Sequence, residues 1–169
     1  GTGGISSSSG GTQPFNTPLP DDLSVDSLIN WANSLNISQT RKDLIINSLR
    51  MTGQARYECV SEAHEHFKEP SIVGKTIECS GFVNWGLFKV GLSNSDLGLV
   101  ADLLDNTSGK FKQIPDDELY PGDYKAYKEN GVTYTGHVGM YLGRTRDGRQ
   151  IFLDAGSPSG SATPKIREH

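Results

Sequence analysis

Three residues of this 169-residue chain have side chains that together could carry out acyl transfer: Cys79, His137 and Asp154. A thiolate attacks a carbonyl carbon, an imidazole moves the proton, and a carboxylate orients the imidazole. Cys79 opens an apolar stretch of helical period and is followed by the small residues Ser80 and Gly81. The N–H groups and the dipole of a helix N-terminus favour a thiolate there, so Cys79 is the candidate nucleophile. A buried structural cysteine remains the alternative.

His137 lies in a segment whose apolar residues alternate, which predicts a strand with one face in the core. The inward-facing residues are Val138, Met140 and Leu142. The opposite face then carries His137, Gly139 and Tyr141. Gly139 leaves space beside the imidazole, so His137 could meet a helix-borne cysteine. The alternative is a surface histidine without a role.

A polar hairpin loop relates Asp154 to His137. Residues 144–149 (RTRDGR) contain Asp-Gly and are typical of such a loop. If these six residues are the loop, Gly143 pairs with Gln150, and Asp154 lies opposite Gly139 on the face of His137. A shift of one residue would turn the aspartate away. Asp154 would then be a strand-end residue that caps a turn.

The remaining cysteine and two neighbouring histidines predict no further chemistry. Cys59 shares a helical stripe with apolar residues, which predicts a core position; a disulfide with Cys79 is the alternative. His64 and His66 are two residues apart and lie on different helix faces, so a zinc site is not expected. Thioester chemistry needs only thiol, imidazole and water, so neither a metal nor an organic cofactor is expected.

The elements that position these residues are predicted as helices first and strands second. Helices are expected over residues 24–35, about 40–52 and 55–67, from Cys79 onward, and over 97–104. Ser24 is the expected cap of the first helix, and Thr40 with Asp43 resembles a capping box for the second. Strands are expected over residues 120–124, 133–143 and 150–155. This order predicts an α+β domain with helices on one side of an antiparallel sheet.

Composition limits the classes of function. The formal net charge is −4, which argues against nucleic acid and anionic membranes as main partners. No apolar run approaches the length of a transmembrane helix. Residues 1–20 include fifteen Gly, Ser, Thr or Pro, so we expect a flexible linker there and one domain over residues 21–169. Without an initial Met or a signal segment, the chain is expected to be a processed fragment of a longer protein.

Four segments together resemble one protein family over about residues 40–160. They are residues 78–83 (ECSGFV), 120–124 (YPGDY), 136–143 (GHVGMYLG) and 152–155 (FLDA). In this order and at this spacing they are similar to the NlpC family of bacterial cell-wall cysteine peptidases. The first resembles that family's nucleophile motif, the second its Pro-Gly-Asp turn, and the third its histidine strand. The fourth falls where the family has a third polar residue.

The resemblance implies a papain-like α+β fold, with N-terminal helices packed on a central antiparallel sheet. It implies hydrolysis of peptidoglycan stem peptides, typically after D-γ-glutamate. Cys79 would be the nucleophile, with its own N–H holding the oxyanion; His137 would be the base and Asp154 the orienting residue. Tyr57 and Ser80 would contact the oxyanion or the substrate. The protein is therefore expected to be exported to the cell wall or the extracellular space and to be tethered to another domain through its linker.

Two departures from the family keep other functions open. The third polar residue is usually His, Asn or Gln, and here it is Asp154. Residues 58–77 make the interval from Tyr57 to Cys79 longer than usual, so Tyr57 could be an ordinary helix-surface tyrosine. One alternative is a catalytically inactive module that binds wall peptides. The other is amidase, acyl-transfer or deamidation chemistry, for example in a toxin.

Overall fold

The computed structural model describes residues 2–6, 15–128, 136–156 and 165–168, which form an α+β fold. The helices are α1 Val25–Ser34, α2 Gln39–Arg50, α3 Ser61–Glu65, α4 Cys79–Lys89 and α5 Val100–Asp105. The strands are β1 Thr2–Ser6, β2 Arg56–Tyr57, β3 Thr76–Ile77, β4 Lys112–Ile114, β5 Tyr124–Lys128, β6 Gly136–Arg144, β7 Gln150–Asp154 and β8 Lys165–Glu168. Short 3₁₀ helices lie at His66–Lys68 and Asp116–Glu118. The predicted α+β class is confirmed.

The main sheet has six antiparallel strands in the order β4-β1-β5-β6-β7-β8. The linker expected over residues 1–20 is therefore wrong for Thr2–Ser6, which pair with both β4 and β5. Leu19 is also buried, and its N–H donates to the carbonyl of Arg144 at 2.8 Å. Residues 7–14 lie outside the described part of the chain. Backbone pairing, rather than an apolar side-chain pattern, places β1 in the sheet.

Helix α4 packs against α2, α3 and strand β6. Its first nine residues, Cys79 to Leu87, are all buried, as expected of a helix that is apolar on every side. A Cβ added to Gly86 would lie 3.1 Å from the Leu44 side chain and 3.6 Å from the Tyr124 hydroxyl. The glycine thus allows close approach of α2 on one side and β5 on the other. The nucleophile candidate is carried by the most enclosed helix described.

The predicted cap of α1 is confirmed, whereas the predicted cap of α2 is wrong. Ser24 caps α1 by accepting a hydrogen bond from the N–H of Ser27, as predicted. The capping box at Thr40 and Asp43 is wrong. Ser38 caps α2 instead by accepting from the N–H of Arg41, so α2 begins one residue earlier than expected.

The helix predicted over residues 55–67 is wrong in its first half. Strand β2 occupies Arg56–Tyr57, and α3 begins only at Ser61. The N–H of Glu58 donates to Ile77 at 3.2 Å, because β2 runs parallel to β3 and pairs with it. Cys59 and Val60 are exposed, so the apolar period through them does not mark a core face.

The segment predicted as a strand over residues 120–124 is mostly a turn, and β5 begins at Tyr124. Gly122 has a φ of +90°, and its N–H donates to the carbonyl of Tyr141 at 2.8 Å. The Asp123 carboxylate accepts from Arg41 Nη1 at 2.8 Å and from the Tyr120 N–H at 2.8 Å. The Pro-Gly-Asp turn therefore ties α2 to the start of β5 and to β6.

The later elements agree with their predictions within a few residues. Helix α5 begins three residues after the expected start. Strand β6 begins at Gly136, and the expected strand residues 133–135 lie outside the described ranges. No helix in the described ranges is long and apolar enough to cross a membrane.

Candidate active site

Cys79 is the first residue of α4, at the point where that helix meets β6. Helix α4 packs on β6, and the nearby backbone N–H groups of Val138 and Ser80 lower the pKa of the Cys79 thiol. Val138 directly follows His137 in the chain, so the Cys79 thiol lies close to the backbone of the histidine strand. Cys79 is 6% exposed. The structure therefore confirms the expected helix start and brings the sulfur to the histidine strand.

The environment of Cys79 keeps its thiol protonated near neutral pH. Burial and the charge of Glu78 raise the pKa of Cys79 to about 12, although the two backbone N–H groups act in the opposite direction. The predicted preference for a thiolate at this helix N-terminus is thus outweighed by desolvation. A neutral thiol must lose its proton to a base as it attacks, so the site depends on a neighbouring imidazole.

The first turn of α4 has a distinct pattern of hydrogen bonds. The N–H groups of Ser80 and Gly81 donate to the Glu78 carboxylate, and that of Phe82 donates to the Glu78 carbonyl at 2.9 Å. Among the described residues, the N–H of Cys79 itself has no such acceptor. A backbone N–H beside the nucleophile is what an oxyanion requires. This pattern fits the role expected for the Cys79 N–H.

His137 and Asp154 form an ion pair across β6 and β7. His137 Nε2 lies 3.0 Å from Asp154 Oδ2, and the Asp154 side chain is fully buried, whereas that of His137 is 19% exposed. When neutral His137 donates Nε2–H to this carboxylate, Nδ1 is the ring nitrogen that accepts protons. A buried carboxylate in this position fixes the tautomer and stabilises the imidazolium.

The placement of Asp154 is as predicted, but the expected path to it is wrong. Gly143 pairs with Ile151 rather than Gln150, because the loop is one residue shorter than expected. A β-bulge between Tyr141 and Gly143 adds one residue to β6 and restores the expected register, so that Met140 pairs with Leu153. Asp154 is then opposite Gly139, where a glycine Cβ would lie 3.2 Å from the Asp154 Cβ.

Tyr57 is brought to the nucleophile by the parallel pairing of β2 with β3. It pairs with Ile77, two residues before Cys79, so the chain folds back over the long interval of residues 58–77 and brings its two ends together. Burial, the charges of Cys59, Cys79 and Glu78, and a side-chain hydrogen-bond interaction with Cys59 raise the pKa of Tyr57 well above its ordinary value. The hydroxyl therefore stays protonated and can donate a hydrogen bond.

The Ser80 side chain takes part in a buried polar network behind the nucleophile. Its hydroxyl donates to Glu78 Oε2 at 2.5 Å and lies 3.2 Å from His64 Nδ1. These contacts place the hydroxyl in the network, and the contact with substrate or oxyanion expected for Ser80 stays a prediction. His64 also contacts Glu78 Oε1 at 2.7 Å and Asp96 Oδ1 at 2.8 Å.

Sequence reasoning missed His64 and Asp96 as residues of this region. The spacing of His64 and His66 bears only on a zinc site, and Asp96 lies in a loop after α4. The one usable signal was Glu78 at the cap of the nucleophile helix, since a buried capping carboxylate needs a partner. Within the described ranges, no group of three or more His, Cys, Asp or Glu could hold a metal ion.

Cys59 is exposed, in contrast to the core position expected for it. Cys59 and Cys79 are both free, so the alternative disulfide is not formed. Comparison with known proteins adds no identification: no family model, curated protein or solved structure matches the chain.

Proposed function

We propose that this domain is a papain-like cysteine peptidase that hydrolyses peptide bonds in peptidoglycan stem peptides through a thioester on Cys79. One observation carries the chemistry: Cys79 begins a helix that packs on β6, and there its thiol lies near the N–H of Val138, next to a histidine whose Nε2 is 3.0 Å from a buried carboxylate. A helix-borne thiol beside an oriented imidazole is suited to nucleophilic attack on a carbonyl.

The reaction begins with the neutral thiol. His137 accepts the thiol proton at Nδ1 as the sulfur attacks the carbonyl carbon, and Asp154 stabilises the imidazolium through Nε2–H. The N–H of Cys79 and the Tyr57 hydroxyl stabilise the oxyanion. The C–N bond then breaks, and His137 returns its proton to the leaving amine.

Deacylation uses the same groups in the reverse roles. A water molecule gives a proton to His137 and attacks the thioester carbonyl carbon. The second oxyanion collapses, the C–S bond breaks, and the thiolate recovers the proton from His137. Only protons and water are exchanged, so the cycle closes without an oxidant or a reductant.

The substrate class is supported by the sequence motifs rather than by bound ligands. Residues 78–83, 120–124 and 136–143 are similar to the NlpC pattern, and each has a defined place at or behind the site. The Pro-Gly-Asp turn fixes the start of β5, which pairs with the histidine strand β6. The family's substrate is the stem peptide, cut after D-γ-glutamate, and its members act in the cell wall or outside the cell.

Mass spectrometry of purified muropeptides incubated with the domain in H₂¹⁸O tests this proposal. Peptidase action yields a new fragment that ends in D-γ-glutamate and carries ¹⁸O at its new carboxyl group. Transfer of an acyl group to an amine, or deamidation of a side chain without cleavage, would replace the proposal with a different reaction of the same thiol.

A wall-binding module is the second candidate, and the burial of Cys79 favours it. A thiol that is 6% exposed, with its pKa raised to about 12, could be a remnant of lost chemistry. Unchanged muropeptide masses, combined with saturable muropeptide binding and a Cys79 that resists iodoacetamide, would establish this function instead.

A further inference from the structure

A second histidine–carboxylate network lies behind the nucleophile and involves none of the residues assigned to the reaction steps. His64, on α3, stands between Glu78 and Asp96 with contacts of 2.7 and 2.8 Å. The side chains of His64 and Glu78 are 8% and 9% exposed, whereas that of Asp96 is 47% exposed. The network thus runs from solvent to the capping residue of α4.

Close packing fixes His64 against the first turn of α4. A Cβ added to Gly81 would lie 2.5 Å from Glu78 Oε1 and 3.2 Å from the His64 Cα. The glycine therefore lets the α3 backbone and the capping carboxylate approach together. On the far side, Asp96 Oδ1 also accepts from the Gly98 N–H at 2.8 Å, which ties the loop after α4 into the same network.

Glu78 has two opposed effects on Cys79. Its carboxylate accepts hydrogen bonds from the first turn of α4 and thereby holds the helix start in place. The same negative charge, next to Cys79 in the chain, disfavours the thiolate. A positive partner for Glu78 would keep the cap and offset its charge.

We propose that His64 is a positioning residue for Cys79: as an imidazolium held between Glu78 and Asp96, it fixes the capping carboxylate and offsets that carboxylate's charge beside the thiol. The consequence for peptide cleavage rests on the proposed function. The consequence for the thiol does not, since thiol reactivity is measured without a substrate.

The charged groups around His64 are consistent with an imidazolium. Burial lowers the pKa of His64, but hydrogen bonds to Glu78 and Asp96 and their charges raise it to about 9. The α4 side contributes Glu78, the following loop contributes Asp96, and Lys68 in the 3₁₀ helix lowers the pKa of Asp96 further. The Phe67 ring packs against the imidazole at 5.8 Å between centroids.

The pH profile of iodoacetamide alkylation, resolved by peptide, tests the proposal. Trypsin separates the two thiols, because Cys79 lies between Lys75 and Lys89 and Cys59 lies between Arg56 and Lys68. His64→Gln is expected to slow alkylation of Cys79 at pH 8 by roughly tenfold, since each unit added to the thiol pKa removes about nine-tenths of the thiolate. Alkylation of Cys59 in the same sample serves as the internal reference.

His66→Gln is the matched control, because His66 contacts the Thr76 carbonyl at 2.6 Å, outside the Glu78 network. It should leave the Cys79 profile unchanged. In the Glu78→Gln background, His64→Gln should no longer slow the alkylation of Cys79, since the carboxylate charge that His64 offsets is gone. Equal Cys79 profiles for wild type and His64→Gln would overturn the proposal.

NMR titration of the His64 ring keeps the test decisive if His64→Gln does not fold. The midpoint is expected near pH 9 in the wild type. Asp96→Asn, at the exposed end of the network, should lower it by about one unit or more. A wild-type midpoint at or below 6.5 would show that the ring is neutral and would refute the proposal.

Muropeptide cleavage separates this proposal from the proposed function. If both hold, His64→Gln lowers kcat with little change in KM, in parallel with the alkylation rate. Slower alkylation in a protein whose wild type cleaves no muropeptide would support the positioning role and reject the peptidase. Cleavage by the wild type with unchanged alkylation in His64→Gln would do the reverse.

Discussion

Gly139 lies directly across the β6–β7 pair from Asp154, and a Cβ on that glycine would be 3.2 Å from the Asp154 Cβ and 3.5 Å from its Oδ2. The glycine therefore provides the space through which the carboxylate reaches His137 Nε2 at 3.0 Å. The histidine–aspartate pair depends on the absence of a side chain at one position between them.

Gly139→Ala should move Asp154 away from His137 without changing the identity of Cys79, His137 or Asp154. The added methyl group is closer to Asp154 than ordinary packing allows, so we expect a loss of about 1–2 kcal/mol in unfolding free energy. Displacing the carboxylate should lower kcat for stem-peptide cleavage at least about tenfold. Urea unfolding and steady-state kinetics measure the two effects; unchanged kcat would show that Asp154 does not orient His137.

Asp154→Asn tests the carboxylate itself. An amide preserves the size of the side chain but cannot stabilise the imidazolium, and its NH₂ group favours the wrong tautomer of His137. We expect kcat to fall about a hundredfold or more with little change in KM. Near-wild-type kcat in a folded Asp154→Asn protein would assign the aspartate a structural role at the end of β7.

Tyr57→Phe removes a single hydroxyl from the residue that pairs with Ile77, two residues before Cys79. If that hydroxyl donates to the oxyanion, kcat should fall about a hundredfold, the usual effect of losing one such donor. Cys79 alkylation should remain within about twofold, because the oxyanion forms only on a carbonyl substrate. Equal losses in cleavage and alkylation would show that Tyr57 acts on the thiol and not on the oxyanion.

Arg41→Ala should affect folding more than chemistry. Arg41 and Asp123 form a buried pair at 2.8 Å, with each side chain 2% exposed. Removing one partner leaves a buried charge, so we expect a loss of about 3–5 kcal/mol in unfolding free energy by urea denaturation. Arg50→Ala, at the exposed end of the same helix, is the control and should change stability by less than about 0.5 kcal/mol.

His64 should also make folding stability depend on pH. The pKa of His64 is raised from 6.5 to about 9 on folding. A raised pKa contributes stability that is complete below pH 6.5 and is lost as pH rises through about 9. Unfolding free energy should therefore decline between pH 6.5 and 9. The decline should be smaller in His64→Gln than in the control His66→Gln; equal slopes would exclude the contribution.

Local signals predicted much of the fold. Ser24 caps α1 through its hydroxyl, and an apolar stretch beginning at Cys79 forms a buried helix, because these patterns depend on residues within a few positions of each other. The face shared by His137 and Asp154 follows from alternation along two adjacent strands. These are the parts of the site that sequence reasoning could reach.

The remaining features of the fold depend on pairing between residues that are far apart in the sequence, which local patterns do not predict. Strand β1 has no apolar alternation and exists through backbone bonds to β4 and β5. The two-residue strands β2 and β3 are too short for a periodic signal, yet they bring Tyr57 beside Ile77. The bulge next to Gly143 compensates for a loop that is one residue shorter than the polar segment predicts. His64 and Glu78 are fourteen residues apart in the sequence, so no local pattern predicts their contact.

The most direct test of a thioester on Cys79 compares muropeptide cleavage by wild type, Cys79→Ala and Cys59→Ala. Cys59 is the matched control because it is the exposed free thiol of the same chain. The proposed mechanism predicts that wild type and Cys59→Ala release the D-γ-glutamate fragment at similar rates, while Cys79→Ala releases none. Release of that fragment by a folded Cys79→Ala protein would contradict it.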